Sequence, residues 1–119
     1  MEFVDVVCVT IYTGEDVLWE DMPLYKAIIQ KAKELDLGGV TVVQGKAGFA
    51  KTNRGLNKKI THFFSGNANL PLVIEIVDKK ENVEKIFPFL EKSAIHSCVT
   101  ITDCKVLVTD YLREKFGKK

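Results

Sequence analysis

Cysteine is scarce, three residues in a chain of 119, and no two of them form a C-x-x-C pair. Cys8, Cys98 and Cys104 are odd in number, and two of them fall in β-like stretches. That usage speaks against a disulfide framework or a zinc ribbon and for buried, reduced thiols in a cytosolic protein. No apolar run is long enough to span a bilayer, and Met1-Glu2-Phe3 lacks the charged and apolar onset of a secretory signal. Neither a membrane span nor a leader is therefore expected. Net charge is nearly absent as well: 17 basic residues against 16 acidic ones. No global field draws the chain toward nucleic acid or a lipid surface. Carboxylates are missing locally, too. From Leu37 to Ile74 there is none, while Lys46, Lys51, Arg54, Lys58 and Lys59 are all basic.

That acid-free span contains the most informative stretch, Gly38-Gly39-Val40-Thr41-Val42-Val43-Gln44-Gly45-Lys46-Ala47-Gly48-Phe49. Two glycines stop a helix, a β-branched run follows, and glycines three apart turn the backbone sharply. The segment from Ala50 to Asn69 then runs without period, longer than an ordinary connection. The length suits one domain, 1–119, with a single core.

Phe3–Tyr12 reads as a first strand and Thr13–Asp21 as a polar connection. A helix over about 23–37 starts at Pro23 and repeats Leu24, Ile28, Ala32 and Leu35. Val40–Gln44 and Leu70–Val77 are the next strands. A second helix carries Val83, Ile86, Phe87 and Leu90, with Pro88 predicting a kink or irregular turn. Ser97–Thr102 is a fourth strand, which 105–109 extends or follows, and a short helix ends the chain at 111–116. The order β-α-β, long loop, β-α-β predicts an α+β, ferredoxin-like βαββαβ domain. Its antiparallel sheet carries two helices on one face and a long loop between strands 2 and 3. Val6, Cys8, Thr10 and Tyr12 fall on the face opposite Val7, Val9 and Ile11, and Val73 and Val77 flank Glu75. The second face is thus also largely apolar, which predicts self-association.

Chemistry is thin. Gly45-Lys46-Ala47-Gly48-Phe49-Ala50-Lys51-Thr52 matches the phosphate loop G-x-x-x-x-G-K-T except at Ala50. Alanine hinders the backbone wrap that the glycine permits, and Asn53 to Asn57 make a poor first helical turn. His62 and His96 have no recognisable partners, and Glu75 is the one carboxylate inside a strand core. Metal binding by His62, His96 and the cysteines would need distant residues to meet. Phe63 and Phe64 are the loop's only aromatic platform for nucleic acid. No catalytic and no metal residues are assigned.

Taken in order, Gly14-Glu15-Asp16, Pro23-Leu24-Tyr25-Lys26-Ala27-Ile28, Gly38 to Gly45 with Gly48-Phe49, and Leu70-Pro71-Leu72-Val73-Ile74-Glu75-Ile76-Val77-Asp78 resemble the uncharacterised PII-like family catalogued as a domain of unknown function. The resemblance runs from about Val4 to Val108. It implies a ferredoxin-like subunit in a homotrimer, sheets inward and helices outward, with 50–69 as the long T-loop that touches targets. It also implies an adenine nucleotide between subunits, near the T-loop base and the turn after the third strand. Carried over by position, that is Gly45, Lys46, Gly48, Phe49, Lys79 and Lys80. Gln44 stands where an arginine is common and Ala50 where a glycine is usual, and Lys51 to Lys59 replaces a loop carrying Ser and His.

The expectation is a cytoplasmic, non-enzymatic signalling trimer. It senses a small anionic metabolite, an adenine nucleotide first among candidates, and meets a target through Lys51, Arg54, Lys58 and Lys59. Context in the family places fluoride channels and other transporters among the candidate targets. Nucleic acid and direct membrane insertion are not expected. Two alternatives stand beside it: a small enzyme on a phosphorylated substrate, using Glu75 with Lys46 or Lys51, and a structural or metal-responsive trimer of the CutA kind.

Overall fold

The structure, a computed structural model, describes residues 1–49, 53–55 and 69–116. Its elements run β1 (Phe3–Gly14), β2 (Leu18–Trp19), β3 (Met22–Pro23), α1 (Leu24–Glu34), β4 (Val40–Gln44), β5 (Gly48–Phe49), β6 (Asn53–Arg54) and β7 (Pro71–Asp78). They continue with α2 (Lys80–Val83), a 3₁₀ turn (Glu84–Ile86), α3 (Phe87–Ser93), β8 (Cys98–Leu107) and α4 (Asp110–Phe116). The main sheet has four strands in the order β4-β7-β1-β8, and every pairing in it is antiparallel. This is the predicted ferredoxin-like arrangement.

The register shows which residues share a face. Val9 pairs with Ile76 and Ile101, and Ile11 with Ile74 and Val99. Val9, Ile11, Ile74 and Ile76 are fully buried, in one cluster with Leu24, Ile28 and Ala32 of α1 and with Val83, Ile86 and Leu90 from the second helical segment. Both helical segments therefore cover the same face. At about 25 cal/mol per Å² of apolar area, each such side chain contributes roughly 1.5–3 kcal/mol. These residues are the stripes the sequence predicts.

Differences are local. β1 continues two residues past Tyr12 because Tyr12, Thr13 and Gly14 keep pairing with β7. The polar connection contains a two-residue ladder, Leu18–Trp19 with Met22–Pro23. Cys98–Leu107 is a single strand. Pro23 sits at the N-cap of α1, one residue before the first helical position. The second helix is broken by a 3₁₀ turn just before Pro88, the irregularity that proline imposes.

The end of α1 corrects the expected role of its glycines. The left-handed residue is Asp36, at φ 56°. Asp36 N–H donates to Lys33 C=O at 3.1 Å and Leu37 N–H to Ala32 C=O at 3.0 Å, a Schellman closure. Gly38 is needed for a different reason: a Cβ there would lie 2.9 Å from the Val77 carbonyl oxygen. Its N–H instead donates to the buried Asp78 carboxylate at 2.6 Å. That carboxylate also accepts from Lys79 N–H at 2.6 Å and Asn82 Nδ2 at 3.0 Å, joining the α1–β4 turn to the start of α2.

The opposite face is not uniformly bare. Val6, on that face, is only 3% exposed within one chain, whereas Tyr12 and Val43 are about half exposed at 49% and 51%. α4 leaves β8 beside Glu2, whose C=O accepts from Val108 N–H. Lys115 Nζ comes within 3.6 Å of where a Gly39 Cβ would stand, next to the far edge strand. A second apolar row lies along the other edge: Ile95, Val99 and Ile101 are exposed, as are Phe3 and Leu107. All three cysteines pair into the open face, Cys8 opposite Thr102 and Val77, Cys98 opposite Tyr12, and Cys104 opposite Val6. They are free thiols, but none is buried as expected: Cys8 and Cys104 are half-buried, and Cys98, on the edge strand β8, is exposed. Burial, with Cys8 and Asp103 adding repulsion, pushes the Cys104 thiol above its usual range.

Candidate functional site

Where β1 ends and β4 hands the chain to β5, the structure forms an open cleft of about 720 Å³. That lies within the range of small-molecule sites. Tyr12, Val17, Leu18, Phe49, Pro71 and Val73 make its apolar wall, and the backbone of Gly45, Ala47 and Gly48 closes one side. Three polar side chains reach it: Thr13, Arg54 and His96. Thr13 is 8% exposed. Its hydroxyl has no hydrogen-bond partner among the described residues. That oxygen is fully enclosed, so its missing partner is a cost of about 1–3 kcal/mol carried by the fold, and the hydroxyl is not offered to a ligand.

Glu15 does not line the cavity but braces the strand ends next to it. Its Oε1 accepts from Leu70 N–H at 3.0 Å and its Oε2 from Gln44 Nε2 at 2.9 Å. Its own N–H donates to Leu70 C=O at 3.0 Å, and Gly45 N–H donates to Pro71 C=O at 2.8 Å. One carboxylate thus ties the residue where the chain departs to the residue where it returns. This gives Gln44 a role that an arginine could also fill, a donor to Glu15. Further out, Arg54 pairs with Asp16 and Nη1 donates to the Asn69 C=O at 3.4 Å. Gly55, left-handed at φ 70°, donates its N–H to Asn69 Oδ1 at 3.3 Å.

Of the ligand residues expected from the sequence, Gly45, Gly48 and Phe49 line the cavity. Lys46 is exposed beside them and does not line it. Lys79 and Lys80 follow Asp78, at the opposite end of β7 from Pro71. Seven residue steps along a strand separate those ends by roughly 23 Å, so one chain does not bring the two groups together. Gly48 lies in a strand and has no left-handed φ, so the sharp turn expected of it is not its constraint.

Arg54, expected to face a partner, lines the cavity. The other candidate partner residues, Lys51, Lys58 and Lys59, lie outside the described residues, as do His62, Phe63 and Phe64 and most of the 50–69 loop. Gly48–Phe49 pairs with Asn53–Arg54, so the phosphate-loop match leads into a strand and not into a helix. Glu75 is exposed on the open face, where the Cys8 thiol donates to it at 3.8 Å. It stands three residues along β7 from Leu72, the partner of Gln44, and does not line the cavity. Among the described residues no group of three or more His, Cys, Asp or Glu is placed to hold a metal ion, and no helix is long and apolar enough to cross a membrane.

Tyr12, Thr13, Val17, Leu18, Pro71, Val73 and His96 were not legible as site residues. They come from segments up to tens of residues apart, and no spacing in the sequence joins them.

The family model DUF190, described as Uncharacterized ACR, COG1993, matches residues 6–106. A UPF0166 protein of Aquifex aeolicus is 35% identical over 99 residues, covering 82% of this chain and 89% of that protein. The UPF0166 protein MJ1524 of Methanocaldococcus jannaschii is 34% identical over 97 residues, covering 81% and 86%. Among solved structures, a PII-like signaling protein (TTHA0516) from Thermus thermophilus superposes with a TM-score of 0.62 at 17% identity, covering 97% of this chain and 98% of that one. CPII from Thiomonas intermedia K12, bound to ADP and bicarbonate, superposes at 0.55 with 14% identity, covering 88% and 91%. At those identities the likeness is one of fold.

Proposed function

The chain belongs to the DUF190 family, and we propose that it is a PII-like regulatory protein that binds a small anionic metabolite, an adenine nucleotide, at the cavity where β1, β5 and β7 meet. One observation carries the reading: an apolar, aromatic-walled cavity of about 720 Å³ is lined by an arginine. Tyr12 and Phe49 offer faces for a planar base, glycine backbone allows close approach, and Arg54 suits an anionic group. The ADP held by CPII, which shares the fold, supports the choice of nucleotide.

The working form is a homotrimer. Its support is the exposed apolar surface in one chain, the row Ile95, Val99 and Ile101 on one edge and Tyr12 with Val43 on the open face. In a trimer the cavity lies near a neighbouring copy, and Lys79 and Lys80 act from that copy's side of an intersubunit site. Lys46, exposed at the mouth, adds charge. Free cysteines fit a reducing cytoplasm. Binding is relayed to a target, a transporter or channel, through 50–69.

Calorimetry with ADP, ATP and AMP, paired with light scattering, tests this. Micromolar binding by a trimer is the expected result. Lys46→Ala and the Lys79→Ala, Lys80→Ala double variant should each weaken it roughly tenfold or more without changing the mass. A monomer that binds none of the three nucleotides would overturn the reading, and turnover of bound nucleotide would replace it with an enzyme.

A further inference from the structure

The ligand's own binding arginine is already engaged. Arg54 lines the cavity, yet its guanidinium is paired with the Asp16 carboxylate. We propose that Asp16 is a built-in competitor for the ligand's anionic group, setting how much ligand is needed to occupy the site. The proposal rests on the reading of the cavity as an anion-binding nucleotide site.

Three features make the pair an exchangeable one. Burial is unequal: the Arg54 side chain is 18% exposed and that of Asp16 45%. On exchange the carboxylate returns to water at little cost, while the guanidinium, already largely desolvated, passes from one oxyanion to another. The guanidinium also lies directly against Gly14, in space that a Cβ there would occupy. Among the described residues both of its hydrogen-bond partners, Asp16 and the Asn69 carbonyl, engage Nη1. Arginine carries five N–H donors in a planar fork, so a phosphate meets the free donors first and then takes Nη1 from Asp16. A carboxylate on the same arginine cancels the charge that a phosphate would otherwise meet. Asp16 thus acts on affinity without touching the ligand.

The test is calorimetry with ADP and with adenosine on wild type, Asp16→Asn, Arg54→Ala and the double variant, each checked for folding by circular dichroism. Asp16→Asn should bind ADP roughly two- to fivefold more tightly, the size expected of a partly exposed ion pair. It should leave adenosine binding unchanged. Arg54→Ala should lose roughly ten- to a hundredfold for ADP. In the Arg54→Ala background the gain from Asp16→Asn should vanish, because the two residues act as one unit. Weaker or unchanged ADP binding by Asp16→Asn would mean that Asp16 only positions Arg54, and would overturn the proposal. ADP binding by Arg54→Ala equal to wild type would overturn it too, while leaving the nucleotide site intact. Absence of ADP binding in all four proteins would remove the underlying reading, and the competitor with it.

Discussion

Asp78→Ala should be among the most destabilising single changes in this chain. Asp78 is 0% exposed, and its carboxylate accepts from Gly38 N–H, Lys79 N–H and Asn82 Nδ2 at 2.6, 2.6 and 3.0 Å. Removing it leaves donors from two separate turns without that acceptor. The Gly38 amide is buried and Asn82 is 7% exposed, so water reaches neither easily. A stranded buried donor costs about 1–3 kcal/mol. Lys79 N–H is only partly buried and recovers more of its loss through water. The expected total is about 3–5 kcal/mol, against roughly 5–15 kcal/mol for a whole domain. At about 3–5 °C per kcal/mol for this size, Tm falls by roughly 10–20 °C. Asp78→Asn keeps the shape and one acceptor oxygen, and should cost about half as much. Urea denaturation followed by circular dichroism, at fixed protein concentration, measures both. A loss below about 1 kcal/mol for Asp78→Ala would refute the argument that this carboxylate joins the α1–β4 turn to α2.

Other expectations follow from single features. Asp36→Val places a β-branched residue at φ 56° and should cost about 1–2 kcal/mol in the same assay; an unchanged midpoint would show that the closure tolerates any residue. The raised Cys104 thiol holds less thiolate at pH 8 than an ordinary cysteine and is half-buried, whereas Cys98 is exposed, so peptide mapping after brief alkylation of dissociated chains should find Cys98 modified first. Equal rates would contradict it. Ile101→Lys should abolish the proposed trimer and leave folded monomer, since that side chain is 55% exposed in one chain; an unchanged mass by light scattering would clear this edge of any role in assembly. Val6→Lys should instead unfold the chain, because Val6 is already 3% exposed without a partner. A folded, monomeric Val6→Lys would show that assembly alone buries it.

The sequence by itself determined what depends on neighbours in the chain. Val7, Val9 and Ile11 alternate, Leu24, Ile28 and Ala32 recur at helical spacing, and Pro88 breaks a turn, so strands, helices and the shared core face were readable. Topology followed from the order of those elements, because a βαββαβ chain of this length has few ways to bury one face of one sheet. Gly45, Gly48 and Phe49 of the cavity were reached from the sequence only through the family resemblance, carried over by position. The tertiary structure alone decided the rest. Gly38 answers to Val77 and Asp78, some forty residues away, and the left-handed position fell to Asp36 instead. Thr13, Arg54, Pro71 and His96 meet at one cavity only because β1 pairs with β7 on one side and β8 on the other. Periodicity reports which way a side chain faces along its own element. Which distant side chains it will face is set by strand register and by packing between elements, and those are properties of the folded chain.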